Sequence, residues 1–159
     1  MDRTDLLQEL AALRFTASLP AAALERLAAV ATVARYAAGA RIFREGSTND
    51  RLMIIRRGRV ALDMCVPGRG EVRILSLAAG DLLAWSALLG AGRMTATATA
   101  LEETEVLAIP AAEIATACRD PDFGYAWMQR LAAALAERLL ATRLQLLDLF
   151  ADAEPVARD

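Results

Sequence analysis

Between Arg41 and Ile109 the chain is broken into short apolar runs by turns rich in glycine and polar residues. Short runs at regular spacing with such turns are typical of the strands of a β-sandwich or β-barrel. The segment Pro67-Gly68-Arg69-Gly70 is typical of a hairpin tip, and Leu82–Leu89 is long enough for one or two helical turns. The sequence therefore predicts a barrel over about residues 36–110. Its predicted strands include Ile42-Phe43, Leu52–Ile55, Val60–Val66, Val72–Leu77, Met94–Ala100 and Glu105–Ile109.

Helices are predicted on both sides of this barrel. Thr4–Leu13 has leucines at helical spacing, and Pro20 is predicted to occupy the first position of a second helix, where proline needs no N–H partner. The pair Asp120-Pro121 combines a capping carboxylate with a first-turn proline, so we expect a long helix over residues 121–150. At 1.5 Å per residue this helix is roughly 45 Å long. We expect one α+β domain over residues 1–150 and a flexible tail over residues 151–159.

Apolar side chains recur on two faces of the predicted long helix. Such a helix must pack against two surfaces, here its own barrel and a partner helix. The first face is nearly a heptad seam, and we predict that it forms a homodimer. The alternative is a single wide face that is buried within one subunit. The predicted dimer residues are Met128, Leu131, Leu135, Leu139, Thr142, Leu146 and Leu149, and the second set is Leu140, Leu144 and Leu147.

Composition disfavours several classes of function. The chain contains no histidine, which removes imidazole bases, Ser-His and Cys-His nucleophile pairs and the commonest metal ligand. Cys65 and Cys118 form no Cys-x-x-Cys unit and are expected to be ordinary buried thiols. We therefore predict no catalytic residues and no metal site.

Charge and hydropathy favour a cytoplasmic protein without membrane contact. The 18 basic and 20 acidic residues form no basic block, whereas nucleic-acid binders usually carry a basic stripe. No segment offers the roughly 20 mainly apolar residues that a membrane span requires. Asp2, Asp5 and Glu9 do not suit a secretion signal.

Several short motifs occur in the order typical of one family of regulatory domains. They are Leu19-Pro20, Glu45-Gly46, Gly58, Gly80-Asp81, the segment ALEETEVLAI and the segment ERLLATRLQLLDLF. On these motifs the chain resembles the cyclic-nucleotide-binding domains, and its long helix is similar to the dimerisation helix of catabolite activator and FNR-like sensors. The resemblance covers about residues 10–150. It implies a cupin-like jelly-roll barrel with N-terminal helices and a long C-terminal dimerisation helix.

The resemblance also implies a ligand pocket, and here the chain departs from the family. The family's phosphate-binding cassette has a Gly-Glu pair that begins a short helix, then an Arg; the Glu binds the ribose and the Arg pairs with the phosphate. The matching residues are Ala84-Trp85 and Met94, followed by Thr95 in the place of a hydroxyl residue. Arg93 is adjacent, but neighbouring strand residues point to opposite faces.

Losing these two contacts has a large expected cost. A charge-assisted hydrogen bond contributes roughly 1.5–3 kcal/mol, so the pair accounts for about two to four decades of affinity. The short helix after Trp85 keeps backbone donors for an anion. Thr142 falls where relatives place a Thr facing the base, and a seam position is the alternative. The full candidate pocket is Ala84, Trp85, Ser86, Ala87, Arg93, Met94, Thr95, Thr142 and Arg143.

Three functional hypotheses follow. The first is a regulatory homodimer that senses an apolar, aromatic or anionic effector, with Arg93 or Arg143 holding an anionic group. The second is a degenerate dimeric adaptor in which Trp85 and Met94 fill the pocket, and a weak cyclic AMP or cyclic GMP receptor is a further alternative. The third, an enzyme on a cupin-like barrel, is disfavoured by the absence of histidine.

No cofactor is certain; the candidate effectors are a cyclic nucleotide or another small anion. Nine residues follow Phe150, so we expect a free-standing domain without a winged helix-turn-helix for direct DNA binding. Its output would then pass to an unidentified protein partner.

Overall fold

The computed structural model describes residues 2–151 and contains five helices and eight strands within that range. The helices are α1 (Arg3–Ala12), α2 (Ala21–Val30), α3 (Ser86–Leu89), α4 (Ala111–Ala117) and α5 (Pro121–Ala151). The strands are β1 (Thr32–Tyr36), β2 (Arg41–Phe43), β3 (Arg51–Arg57), β4 (Arg59–Val66), β5 (Gly70–Ala78), β6 (Leu82–Leu83), β7 (Thr97–Ala100) and β8 (Thr104–Pro110). The predicted tail beyond residue 151 lies outside the described residues.

The strands form two antiparallel sheets of four, which is the predicted jelly-roll architecture. One sheet has the order β1-β8-β3-β6 and the other β2-β7-β4-β5. The hairpin of β4 and β5 turns at the predicted tip, where the Arg69 amide donates to the Val66 carbonyl at 3.0 Å. Apolar side chains from the two sheets meet in a core that includes Ile55, Val60 and Val106.

A second core lies between the first sheet and the helices. Trp127 of α5 is fully buried there, stacked on Phe123 and in edge-to-face contact with Phe15. These contacts fix the N-terminal half of α5 against the sheet, and the apolar burial of such aromatic side chains is a major stabilising term. The second half of α5 extends beyond this core, with most of its leucines exposed.

The element boundaries differ from the sequence prediction in several places. Leu82-Leu83, predicted as part of a helical segment, is strand β6. Pro20 is the cap of α2 and not its first residue, because the helix begins at Ala21. The strand expected from Met94 begins only at Thr97, since residues 93 and 94 pair with a loop instead. Strand β1 was not predicted; it pairs with β8 along the sheet edge and is only partly buried, so its apolar pattern is weak.

The start of α5 follows the prediction. Asp120 caps the helix by accepting from the Asp122 amide at 3.1 Å, and Pro121 is the first helical residue. None of the helices in residues 2–151 is long and apolar enough to cross a membrane.

Gly58, which joins β3 to β4, is a position where only glycine fits. Its φ is +94°, and an added Cβ would lie 2.6 Å from the Glu103 carbonyl oxygen and 2.8 Å from the Thr104 Cα. We expect Gly58→Ala to lower the free energy of unfolding by about 3 kcal/mol, from left-handed strain plus a backbone clash. Gly68→Ala is the matched control: its φ is +80°, but no atom lies within 4 Å of the added Cβ.

Chemical denaturation of both variants measures this difference. The control should lose only about 1 kcal/mol, the cost of the backbone conformation alone. Equal losses for the two variants would mean that the contacts around Gly58 do not restrict that position.

Candidate functional site

The turn between β6 and α3 forms one wall of the candidate site. Ala84 is buried and has a φ of +61°, a left-handed conformation that suits glycine and that costs other residues roughly 1–2 kcal/mol. Trp85 follows as the residue that caps α3, and the Ser86 side chain is buried just inside the helix. The backbone therefore keeps a glycine-type turn although alanine now occupies it.

Met94 forms the opposite wall. Its amide donates to the Ser47 carbonyl at 2.8 Å, and its carbonyl accepts from the Gly46 amide at 2.7 Å. The Met94 side chain is 3% exposed, and the Asn49 side-chain amide lies 3.9 Å from its sulfur. Arg93 and Thr95, the residues before and after it in the chain, are exposed.

Between these walls lies a small cavity, here called the cassette cavity, of about 20 Å³. Such a volume is close to what one water molecule needs, so a nucleotide does not fit unless the walls move. Its lining residues are Phe43, Leu62, Leu83, Ala84, Trp85, Ser86, Met94, Thr95, Ala96 and Arg138. Of the nine predicted pocket residues, five line it: Ala84, Trp85, Ser86, Met94 and Thr95.

The other four predicted pocket residues lie outside the cassette cavity. Ala87 of α3 and Arg93 do not line it. On α5, the Thr142 hydroxyl donates to the Arg138 carbonyl at 2.8 Å within its own helix, and Arg143 is exposed. Arg93 is exposed and does not line the cassette cavity.

Arg138 is a functional candidate that the sequence analysis missed. It lies one helical turn before Thr142 on α5, lines the cassette cavity and donates a hydrogen bond to the Leu82 carbonyl just before the cassette turn. Burial lowers the pKa of the Arg138 guanidinium from its ordinary value, and the nearby Asp81 carboxylate opposes that shift. An arginine still stays charged in proteins, so a cation stands at the junction of α5 and the sheets.

The predicted dimer residues fall into three environments on α5. Met128, Leu139 and Leu146 are exposed, whereas Leu135, Thr142 and Leu149 are half-buried. Leu131 was wrongly placed in the seam: it is 1% exposed and packs into the core of its own subunit beside Trp127. The second set, Leu140, Leu144 and Leu147, is also exposed, and so is Phe150.

The remaining apolar surface of α5 is therefore broad. Leu147 is 64% exposed and Phe150 is 72% exposed. Contiguous apolar patches of this kind are typical of interaction sites.

Comparisons with known proteins agree with this fold. A family model described as "Cyclic nucleotide-binding domain" matches residues 33–120. Among curated proteins, none matches the chain. A solved structure of a putative cyclic nucleotide-binding protein from Geobacter metallireducens is 27% identical, with a TM-score of 0.74 over 83% of this chain and 96% of that one.

Two further solved structures are similar. The N-terminal domain of a transcriptional regulator from Streptomyces coelicolor is 26% identical, with a TM-score of 0.67 over 84% of this chain and 94% of that one. The catabolite activator protein of Thermus thermophilus is 28% identical, with a TM-score of 0.66 over 90% of this chain and 63% of that one.

Proposed function

The chain belongs to the cyclic nucleotide-binding domain family, and on that premise we propose that it is a regulatory sensor domain with an altered cassette. In this proposal it does not use cyclic AMP or cyclic GMP as its effector. The observation that carries the proposal is the contact between Arg138 of α5 and the Leu82 carbonyl, next to the cassette turn. It joins the ligand-binding region directly to the helix that would transmit a signal.

The composition of the cassette cavity argues against a cyclic mononucleotide. The family resemblance expects a carboxylate for the ribose hydroxyl and a guanidinium for the phosphate, and this chain has Trp85 and Met94 there. Both side chains line the cavity that remains. The nucleotide would lose two charge-assisted contacts, about 3–6 kcal/mol, and would also have to displace an indole.

The proposed output runs through α5. A ligand changes the arrangement of this helix only by binding one arrangement more tightly than another. The Arg138 guanidinium donates from the helix to the Leu82 carbonyl of the sheet. A ligand that displaces the Arg138 side chain would release the helix from the sheet at that point.

We propose that two copies of the chain pair through the exposed apolar face of α5, which comprises Met128, Leu139, Leu140, Leu144, Leu146, Leu147 and Phe150. Leaving this face in water is unfavourable, because a partner helix would remove its apolar surface from water. Another protein would then bind the dimer and receive the signal. We expect no catalysis and no direct DNA contact from residues 2–151, and we expect the protein to act in the cytoplasm.

A second candidate function is favoured by the size of the cassette cavity. At about 20 Å³ it is nearly filled, which suits a dimeric adaptor that binds no small molecule at all. Sensor and adaptor differ in one property, since only a sensor is stabilised by an effector.

Thermal unfolding in the presence of candidate effectors separates the two functions. A ligand at 100 times its dissociation constant stabilises the folded state by about 2.7 kcal/mol, which corresponds to roughly 5–10 °C for a chain of this size. We expect a shift of this order from at least one small organic anion and none from cyclic AMP or cyclic GMP. If no compound in a broad metabolite panel shifts the midpoint, the adaptor function stands and the sensor function fails.

A further inference from the structure

A second and larger cavity lies on the other side of Arg138. This helix cleft, of about 190 Å³, opens between α5, β5 and the segment after α1. About half of its wall is apolar, with Phe15, Leu75, Leu77, Leu82, Ala134 and Ala141 among the lining residues. Three arginines and two carboxylates also line it: Arg14, Arg130, Arg138, Asp81 and Glu137.

Most of these charged groups already have partners. Arg14 pairs with Asp81 and lies 3.7 Å from Glu137, so one cation serves both carboxylates. Arg130 donates to the main-chain carbonyls of Phe15 and Arg14, at 3.0 and 2.8 Å. The two acids of the cleft are therefore turned towards Arg14.

Arg138, like Arg130, is bonded to main-chain carbonyl oxygen and not to a carboxylate. Among residues 2–151, its one hydrogen-bond partner is the Leu82 carbonyl, and no carboxylate lies within ion-pair distance of it. A guanidinium has five N–H donors in a rigid fork. Arg138 lines both the helix cleft and the cassette cavity, so its remaining donors face space that a ligand can enter.

Even a partly buried cation without an ion-pair partner is costly in a folded protein. Arg138 lines a cleft that has three arginines but only two carboxylates, and both carboxylates lie within ion-pair distance of Arg14. An anion that entered the cleft would pair with it, and the planar fork suits a carboxylate or phosphate group. The apolar walls would take the rest of such a molecule.

We propose that the helix cleft is the effector site and that Arg138 binds a small organic anion with an apolar body. This inference rests on the proposed sensor function and assigns the effector to a place beside the closed cassette cavity. Drug-sized ligands occupy roughly 300–1,000 Å³, so a cleft of about 190 Å³ selects a smaller molecule. A carboxylate on a single ring or a short acyl chain has the matching size and chemistry.

The test uses benzoate and inorganic phosphate as probes in calorimetric titrations of the full chain. We expect benzoate to bind with a dissociation constant of about 1 mM or tighter (near −4 kcal/mol). Phosphate, which has the charge but no apolar body, should bind at least tenfold more weakly. Absence of benzoate binding at 10 mM, or equal binding of the two probes, would overturn the proposal.

Two variants assign the binding to Arg138 and to the cleft. Arg138→Gln should weaken benzoate at least tenfold, whereas Arg119→Gln, the same charge change at an exposed residue outside the cleft, should leave it within twofold. Ala141→Leu should also abolish binding, because it fills the cleft while the charge of Arg138 is kept. Unchanged affinity in Ala141→Leu contradicts the site even if Arg138→Gln fails to fold.

The result also separates this inference from the proposed function. If benzoate does not bind but another metabolite raises the unfolding midpoint, the sensor function holds and the cleft is not its site. Suppose instead that benzoate binds as expected without changing the dissociation constant of the dimer or the spacing of its two α5 helices. In that case the site holds and the sensor function fails.

Discussion

Restoring the two missing cassette groups, by Trp85→Glu together with Met94→Arg, is expected to raise the affinity for cyclic AMP by two to four decades. Each substitution returns one charge-assisted hydrogen bond, at roughly 1.5–3 kcal/mol. Both residues already line the cassette cavity, so the new side chains would point towards the ligand. Replacing the indole with a carboxylate side chain also enlarges the space between the two walls.

Single variants and a displaced control make this result specific. Each single substitution should recover only part of the affinity, since the ribose and phosphate contacts are separate. Leu89→Glu, which adds the same charge at the exposed end of α3, should leave binding unchanged. A double variant that binds cyclic AMP no better than the natural chain would show that Trp85 and Met94 are not what closes this cavity to nucleotides.

The second large effect concerns the proposed dimer. Leu139 and Leu146 are 53% and 46% exposed on α5, two turns apart on one face. Leu139→Glu with Leu146→Glu places a charge at both positions, and across the two protomers this removes four buried leucine side chains. At about 1.5 kcal/mol for each side chain, the dimer constant should weaken by roughly four decades.

Sedimentation equilibrium at micromolar concentration measures the change. The natural chain should have the mass of two 17.0 kDa protomers, and the double variant that of one. Glutamate is a good helix former, so α5 itself should persist. Met64→Glu, at an exposed apolar residue on β4, should remain dimeric. A natural chain that sediments as a monomer would contradict the predicted dimer.

The sequence was sufficient for most of the strands and for the start of α5 because their signals are local. The hairpin tip at Gly68 and the cap at Asp120 are chemical features of a few neighbouring residues, and both lie where they were predicted. Strand β1 has no comparable signal, since an edge strand with half-buried residues alternates weakly. Counting along the family's sequence pattern assigns Trp85 and Met94 to the cassette, and both line the cassette cavity.

The burial of individual leucines on the long helix could not be predicted from the sequence in the same way. Leu131 and Leu139 both fit an apolar seam, yet one packs into the core of its own subunit and the other is exposed. Which leucines the sheet covers depends on how α5 is rotated about its axis, and the contacts of Trp127 fix that rotation in three dimensions. For the same reason, Arg138 has no sequence signal as a pocket residue.

We propose that the cassette of this chain does not accept a cyclic mononucleotide. Isothermal titration of the natural chain with cyclic AMP tests this proposal. We expect a dissociation constant weaker than about 10 μM, or no measurable binding at all. Binding tighter than about 10 μM, near −7 kcal/mol, would contradict it and would mean that the walls formed by Trp85 and Met94 open to admit the nucleotide.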